Sequence, residues 1–158
     1  MAKVYQGSCL CGQVRYQVTA FEAYQVHCHC SMCRRFHGAA FASLAEVKLE
    51  NFTWIQGSEW VKVYQAENGT QREFCSYCGS SLTLHSQATT LELALGSLDT
   101  DFDSLVKANI YVSSKANWVQ LDTHLINCRE DWDETSSESC SIALDSNDTN
   151  NALLSDGF

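Results

Sequence analysis

The sequence predicts a mainly β fold, a small sandwich or open barrel of short strands. Three observations carry this. Short runs alternate apolar and polar side chains. These runs are rich in β-branched and aromatic residues and are separated by glycine-bearing turns. No stretch shows the 3.6-residue apolar period of a long amphipathic helix. The 158 residues are 45% hydrophobic and include four Trp, six Tyr and seven Phe. That is enough for one domain with a real core, and too aromatic for a wholly disordered chain. The chain has no Pro, so no segment reads as a stiff linker.

Taken in order, Val14 to Val18 alternates with period 2 and reads as a half-buried strand. Tyr24 to His29 is a second short candidate. Arg34 to Ala40 reads as a single helical turn. Ala40 to Leu44, Phe52 to Gln56 and Val61 to Gln65 are strand candidates. Gln56-Gly57-Ser58 and Glu67-Asn68-Gly69 are turns, and Asn-Gly is a strong hairpin signal. Arg72 to Phe74 leads into the Cys75 loop and Ser81 to His85 leads out of it; Leu91 to Leu95, Asn109 to Val112 and Trp118 to Leu121 are further strand candidates, with a polar loop or short helix over Ser97 to Leu105.

The formal charge of −9 is unevenly distributed. All ten Lys and Arg fall at or before Arg129, against eleven acidic residues in the same span, so the body is near neutral. The other eight acidic residues follow it. Composition also changes there, to Ser, Asn, Asp and Glu. The expected organisation is therefore a domain over 1–129 and an acidic, mobile tail over 130–158, with Ile142, Leu144, Leu153 and Leu154 leaving room for a docked segment. A near-neutral body with an acidic tail lacks the basic footprint of a nucleic-acid binder and does not suit an anionic membrane surface. No apolar run reaches the roughly 20 residues that span a bilayer. The first twelve residues carry no apolar signal segment. A cytoplasmic location is the expectation, and exposed sheet edges make a homo-oligomer a further one.

Nine cysteines in a cytoplasmic chain point to metal binding or catalysis rather than a disulfide framework. Cys9-Leu10-Cys11-Gly12 and Cys75-Ser76-Tyr77-Cys78-Gly79 are each a cysteine pair closed by a glycine. A tight turn brings two sulfurs to one ion, and the glycine takes the positive φ such a turn needs. Two pairs complete the four tetrahedral thiolates of a structural zinc, so Cys9, Cys11, Cys75 and Cys78 are one candidate metal set. The rival arrangement is buried free thiols or a disulfide.

Cys28-His29-Cys30-Ser31-Met32-Cys33 places three thiols in six residues with no second pair to complete them. Three protein ligands and an open position are the pattern of a catalytic zinc, which binds an incoming thiolate or polarises a carbonyl. Arg34 and Arg35 follow directly and are candidates to offset the net negative charge or to hold a substrate carboxylate. Other arrangements stay open: a Cys30/Cys33 redox pair, a zinc trap without chemistry, or His29 as a ligand. His37 and His85 are candidate proton carriers. Trp54, Trp60 and Trp118 are candidate pocket walls, and Asp122 and His124 are candidate supports of the metal ligands. Cys128 and Cys140 are left single.

These motifs, with Gly7-Ser8 before the first pair, Gly38 after the triplet, Phe74 and Ser80 around the second pair, and the later Gly96-Ser97-Leu98-Asp99 and Ser113 to Trp118 segments, resemble the glutathione-dependent formaldehyde-activating enzyme family, also called the CENP-V/GFA domain. The resemblance spans roughly Tyr5 to Asp122. It implies an Mss4-like β fold with two zinc ions, one structural on Cys9, Cys11, Cys75 and Cys78, and one catalytic on Cys28, Cys30 and Cys33. It implies a carbon–sulfur lyase that joins glutathione, as substrate, to formaldehyde. The competing class is a zinc-dependent binding module for a small thiol or a protein partner, without turnover.

Overall fold

The computed structural model describes residues 2–132 together with Cys140 and Ser141. The remainder of the expected tail, with Ile142, Leu144, Leu153 and Leu154, lies outside the described residues. In chain order the elements are β1 (Tyr5–Ser8), β2 (Arg15–Val18), β3 (Gln25–Cys28), α1 (Ser31–His37), β4 (Ala42–Lys48), β5 (Phe52–Gln56), β6 (Val61–Gln65), β7 (Gln71–Cys75), β8 (Ser81–His85), β9 (Thr90–Ala94), β10 (Ala108–Ile110), β11 (Ile126–Cys128) and β12 (Cys140–Ser141).

The fold is mainly β and consists of two sheets, with no closed barrel. The smaller has order β1-β2-β5; the larger runs β12-β11-β10-β3-β4-β9-β8-β7-β6. Most ladders are antiparallel, but β10 is parallel to both β3 and β11. Strand register sorts the large sheet into two faces. Val47, Leu91 and Leu93 lie on one, opposite Tyr16 and Val18 of the small sheet and Val14 just before β2, and together they form one core cluster. Val14, Tyr16 and Val18 are each fully buried, as their alternation with polar neighbours requires. Burying each such side chain contributes about 1.5–3 kcal/mol before entropy. The other face carries Val26, Cys28, Leu44 and Leu84, packed with Cys33 of α1 and with Trp132.

Several elements depart from the sequence expectation. Trp118 to Leu121 is not a strand: Val119 N donates to Ala116 O across a turn, and Trp118 stays 69% exposed. The β-branched and aromatic composition there has no sheet neighbour to pack against. The helical turn expected at Arg34 to Ala40 begins earlier, at Ser31, because the Cys30 sulfur accepts from Cys33 N and caps it; Gly38, at φ 59°, ends it. The strands β1, β11 and β12 were not legible as alternating runs. Cys128 and Cys140, expected to stay single, form a disulfide. They lie directly opposite in the β11–β12 ladder. Inside the segment expected as a tail, Glu130 O accepts from Tyr111 N, Asp131 accepts from the Tyr24 hydroxyl, and Trp132 stacks on Tyr24.

Candidate metal and thiol site

Cys9 and Cys11 follow β1 of the small sheet, and Cys75 and Cys78 bracket the turn that ends β7 of the large one. Each knuckle closes as its glycine predicts. Gly12 has φ 75° and donates to Cys9 O; Gly79 has φ 78° and donates to Cys75 O. A Cβ at either glycine would meet nothing within 4 Å, so the demand is purely on the backbone angle. Val14 N points at the Cys9 sulfur from 3.3 Å. The four sulfurs lie within 4.8 Å of one another. The Cys9–Cys11 and Cys11–Cys75 separations are 3.4 and 3.9 Å. Zinc–sulfur bonds of about 2.3 Å in a tetrahedron place sulfurs about 3.8 Å apart, so this donor set fits zinc. Cys9 and Cys75 are buried in the cluster between the sheets, so a metal here ties the two sheets together.

The Cys28, Cys30 and Cys33 sulfurs also lie within 4.8 Å of one another. Cys28 ends β3, Cys30 caps α1 and Cys33 sits in its first turn. A strand running straight into a short helix therefore folds three close thiols into one point. Cys28 and Cys33 are buried, whereas Cys30 is partly open. Hydrogen bonding from Cys28 and Cys33 holds the Cys30 thiol far below the usual thiol range, to about 2, while hydrogen bonding from Cys30 and Cys33 pushes that of Cys28 up. No fourth His, Cys, Asp or Glu joins the cluster among the described residues. Its donor set fits zinc with a position left over.

His29 is not part of it. The ring is buried and its Nε2 lies 2.9 Å from Asn109 Oδ1; Asn109 in turn donates to Asn127 Oδ1. Arg34 turns its Nε to His29 O, 3.2 Å away, and Arg35 is exposed. The cation that does face the sulfurs was missed from the sequence. Arg72 of β7 is only 4% exposed, and both of its terminal nitrogens lie 3.7 Å from the Cys33 sulfur. Phe36 packs on its guanidinium at 5.4 Å. The one available signal was a lone arginine two residues before Phe74 in an otherwise ordinary strand.

The remaining candidates scatter. Burial, then the positive charge of Arg72, lowers His37 to about 4, so its ring is neutral at pH 7, and its Nε2 is buried without a partner. His85 pairs with Glu73 at 3.1 Å. Trp54 packs on Tyr16 and Phe52. Trp60 meets Tyr77 edge-on. Asp122 accepts from His124 N and only closes a turn. Two further features stand near the triplet. Tyr111, packed against the cluster that holds Cys28 and Cys33, adopts φ 53°, a left-handed conformation that costs a tyrosine about 1–2 kcal/mol. A cleft of about 570 Å3 opens past the end of α1, lined by Arg35, His37, Ser43, Ser80, Ser81 and Ser97 among others.

Over residues 4–114 the chain matches the family described as glutathione-dependent formaldehyde-activating enzyme. It is 26% identical over 127 residues to a Halomonas elongata protein provisionally named as such an enzyme, covering 75% of this chain and 81% of that one. A crystal structure of a Rhodobacter sphaeroides protein is similar with a TM-score of 0.54 and 26% identity, covering 62% of this chain and 91% of that chain. Among the described residues, no helix is long and apolar enough to cross a membrane.

Proposed function

From the premise that the chain belongs to the glutathione-dependent formaldehyde-activating family, we propose that it is a zinc-dependent carbon–sulfur lyase that makes and breaks a thiol–aldehyde adduct, glutathione and formaldehyde being the first pair to test. The observation that carries this is the three-sulfur cluster with its partly open Cys30 and no fourth ligand among the described residues. In the forward direction the thiol sulfur bonds to the aldehyde carbon, the carbon–oxygen π bond breaks, and the thiol proton ends on the new hydroxyl oxygen. A zinc ion held by Cys28, Cys30 and Cys33 would supply Lewis acidity for this, and a second on Cys9, Cys11, Cys75 and Cys78 would serve the fold alone.

The chain's own residues do the rest. Buried Cys28 and Cys33 hold the donor geometry, and Cys30 faces the approach. Arg35 lines the cleft past α1 and is the candidate for a glutathione carboxylate; Arg34, engaged with His29 O, is the weaker one. The seven residues of α1 span about 10 Å, and an extended tripeptide spans a similar length. A cytoplasmic location belongs to the same proposal: the seven cluster cysteines are free thiols, as a reducing compartment keeps them, and the Cys128–Cys140 disulfide would be reduced there.

Exchange NMR of glutathione with formaldehyde tests the proposal. Zinc-loaded protein accelerates the exchange, and Cys30→Ser abolishes the acceleration while keeping fold and zinc at the four-cysteine set. Glutathione binding with no acceleration would replace the lyase reading with a binding module.

A further inference from the structure

We propose that Arg72 is the counter-charge of the three-cysteine centre and positions Cys33 for metal, the role that adjacency in sequence suggests for Arg34 and Arg35. The inference rests on reading the triplet as a metal–thiolate centre, but not on turnover. A guanidinium stays protonated at any accessible pH, so a buried one requires a nearby anion. Arg72 is 4% exposed, yet no carboxylate pairs with it among the described residues. Glu92 feels its charge, but hydrogen-bonds to Ser86. What the guanidinium does meet is sulfur: both terminal nitrogens are 3.7 Å from Cys33 Sγ. Three thiolates on Zn²⁺ carry one net negative charge, and Cys28 and Cys33 are buried. A buried cation and a buried anion of equal charge compensate each other. The register explains why this residue serves. Arg72 stands opposite Leu84, and Leu84 belongs to the core cluster of Cys28 and Cys33, so β7 presents Arg72 on the face of the sheet that carries the triplet. Phe36, from the turn of α1 after Cys33, stacks on the guanidinium and holds its plane.

Chelator competition on the zinc-loaded full chain tests this, with the four-cysteine centre of the same molecule as internal control. Arg72→Met removes the charge and leaves apolar bulk beside Phe36. It is expected to lower zinc affinity at the triplet by about 10–100-fold, the range for residues that orient metal ligands, and to leave the four-cysteine centre as in the wild type. Arg72→Lys keeps the charge without the two-pronged contact and is expected to fall between. Cobalt substitution gives a second readout: the sulfur-to-metal absorption of the triplet shifts in Arg72→Met and that of the four-cysteine centre does not. Should Arg72→Met fail to fold, Arg72→Lys decides, with at least a threefold loss expected. Triplet affinity within threefold of wild type in the folded variant would overturn the assignment, as would a wild type that binds only one zinc. Absence of turnover in the wild type would refute the lyase reading and leave this measurement intact.

Discussion

Cys75→Ser is the sharpest test of the metal staple between the two sheets. Cys75 is fully buried and faces the cluster formed with Cys9, Tyr16 and Leu82. Structural zinc contributes about 10–16 kcal/mol to folding in small zinc domains, against a total stability of about 5–15 kcal/mol for an ordinary one. Losing one thiolate in four forfeits at least about 3 kcal/mol of the metal's share. The buried hydroxyl left behind costs about 1–3 kcal/mol more. The sum, about 5 kcal/mol, lowers Tm by roughly 10–20 °C in a chain of this size. Cys11→Ser makes the control, because Cys11 is exposed. It loses the same ligand without burying a hydroxyl, so its Tm falls less. Circular-dichroism melts with zinc analysis read both variants, and a chelator, which removes the metal's whole share, brings the wild type to the level of Cys75→Ser or below it. A Cys75→Ser protein with wild-type Tm, beside a wild type indifferent to chelator, would refute the staple.

Burial, with Asp131 and Glu46 nearby, raises Glu92 to about 7 from an ordinary 4.5, against the opposing influences of Ser86 and Arg72. The folded state then binds more protons than the unfolded one between those values, so this residue's contribution to stability falls as pH rises from 4.5 through 7. Glu92→Gln is therefore expected to match the wild type below pH 4.5 and to exceed it at pH 8 by up to about 3 kcal/mol in urea unfolding; equal stabilities at pH 8 would refute it. Gly7→Ala places a Cβ 2.2 Å from the Tyr16 ring and 2.6 Å from Ser97 O, where backbone and a core aromatic cannot both yield. It should cost at least about 1–3 kcal/mol and loosen the Tyr16–Ser97 hydroxyl contact, seen as faster amide exchange across β1 and β2. Cys140→Ser opens a 12-residue disulfide loop and should cost about 3 kcal/mol under oxidising conditions and nothing under reducing ones, measured by the shift in urea midpoint.

What short-range chemistry dictates was readable in the chain before folding. The two knuckles are local turns whose glycines must take positive φ, so Cys9, Cys11, Cys75 and Cys78 declared themselves by spacing, and so did the three thiols of Cys28, Cys30 and Cys33. Phe52–Gln56 and Val61–Gln65 are strands at the limits their β-branched and aromatic composition suggests, since such side chains fit a pleated surface. Trp118 to Leu121 shows the limit of that reasoning, for strand composition means nothing without a neighbouring ladder. The tertiary structure alone decided that β10 slots in parallel between β3 and β11, that Cys128 meets Cys140, and that Arg72, 39 residues from Cys33, faces the triplet while Arg34, next to it, turns to a backbone carbonyl. Spacing along the chain records the sterics of a few adjacent residues. Which distant side chain meets a buried sulfur depends on register, on which face of the sheet it occupies, and on the requirement that every buried charge find its opposite.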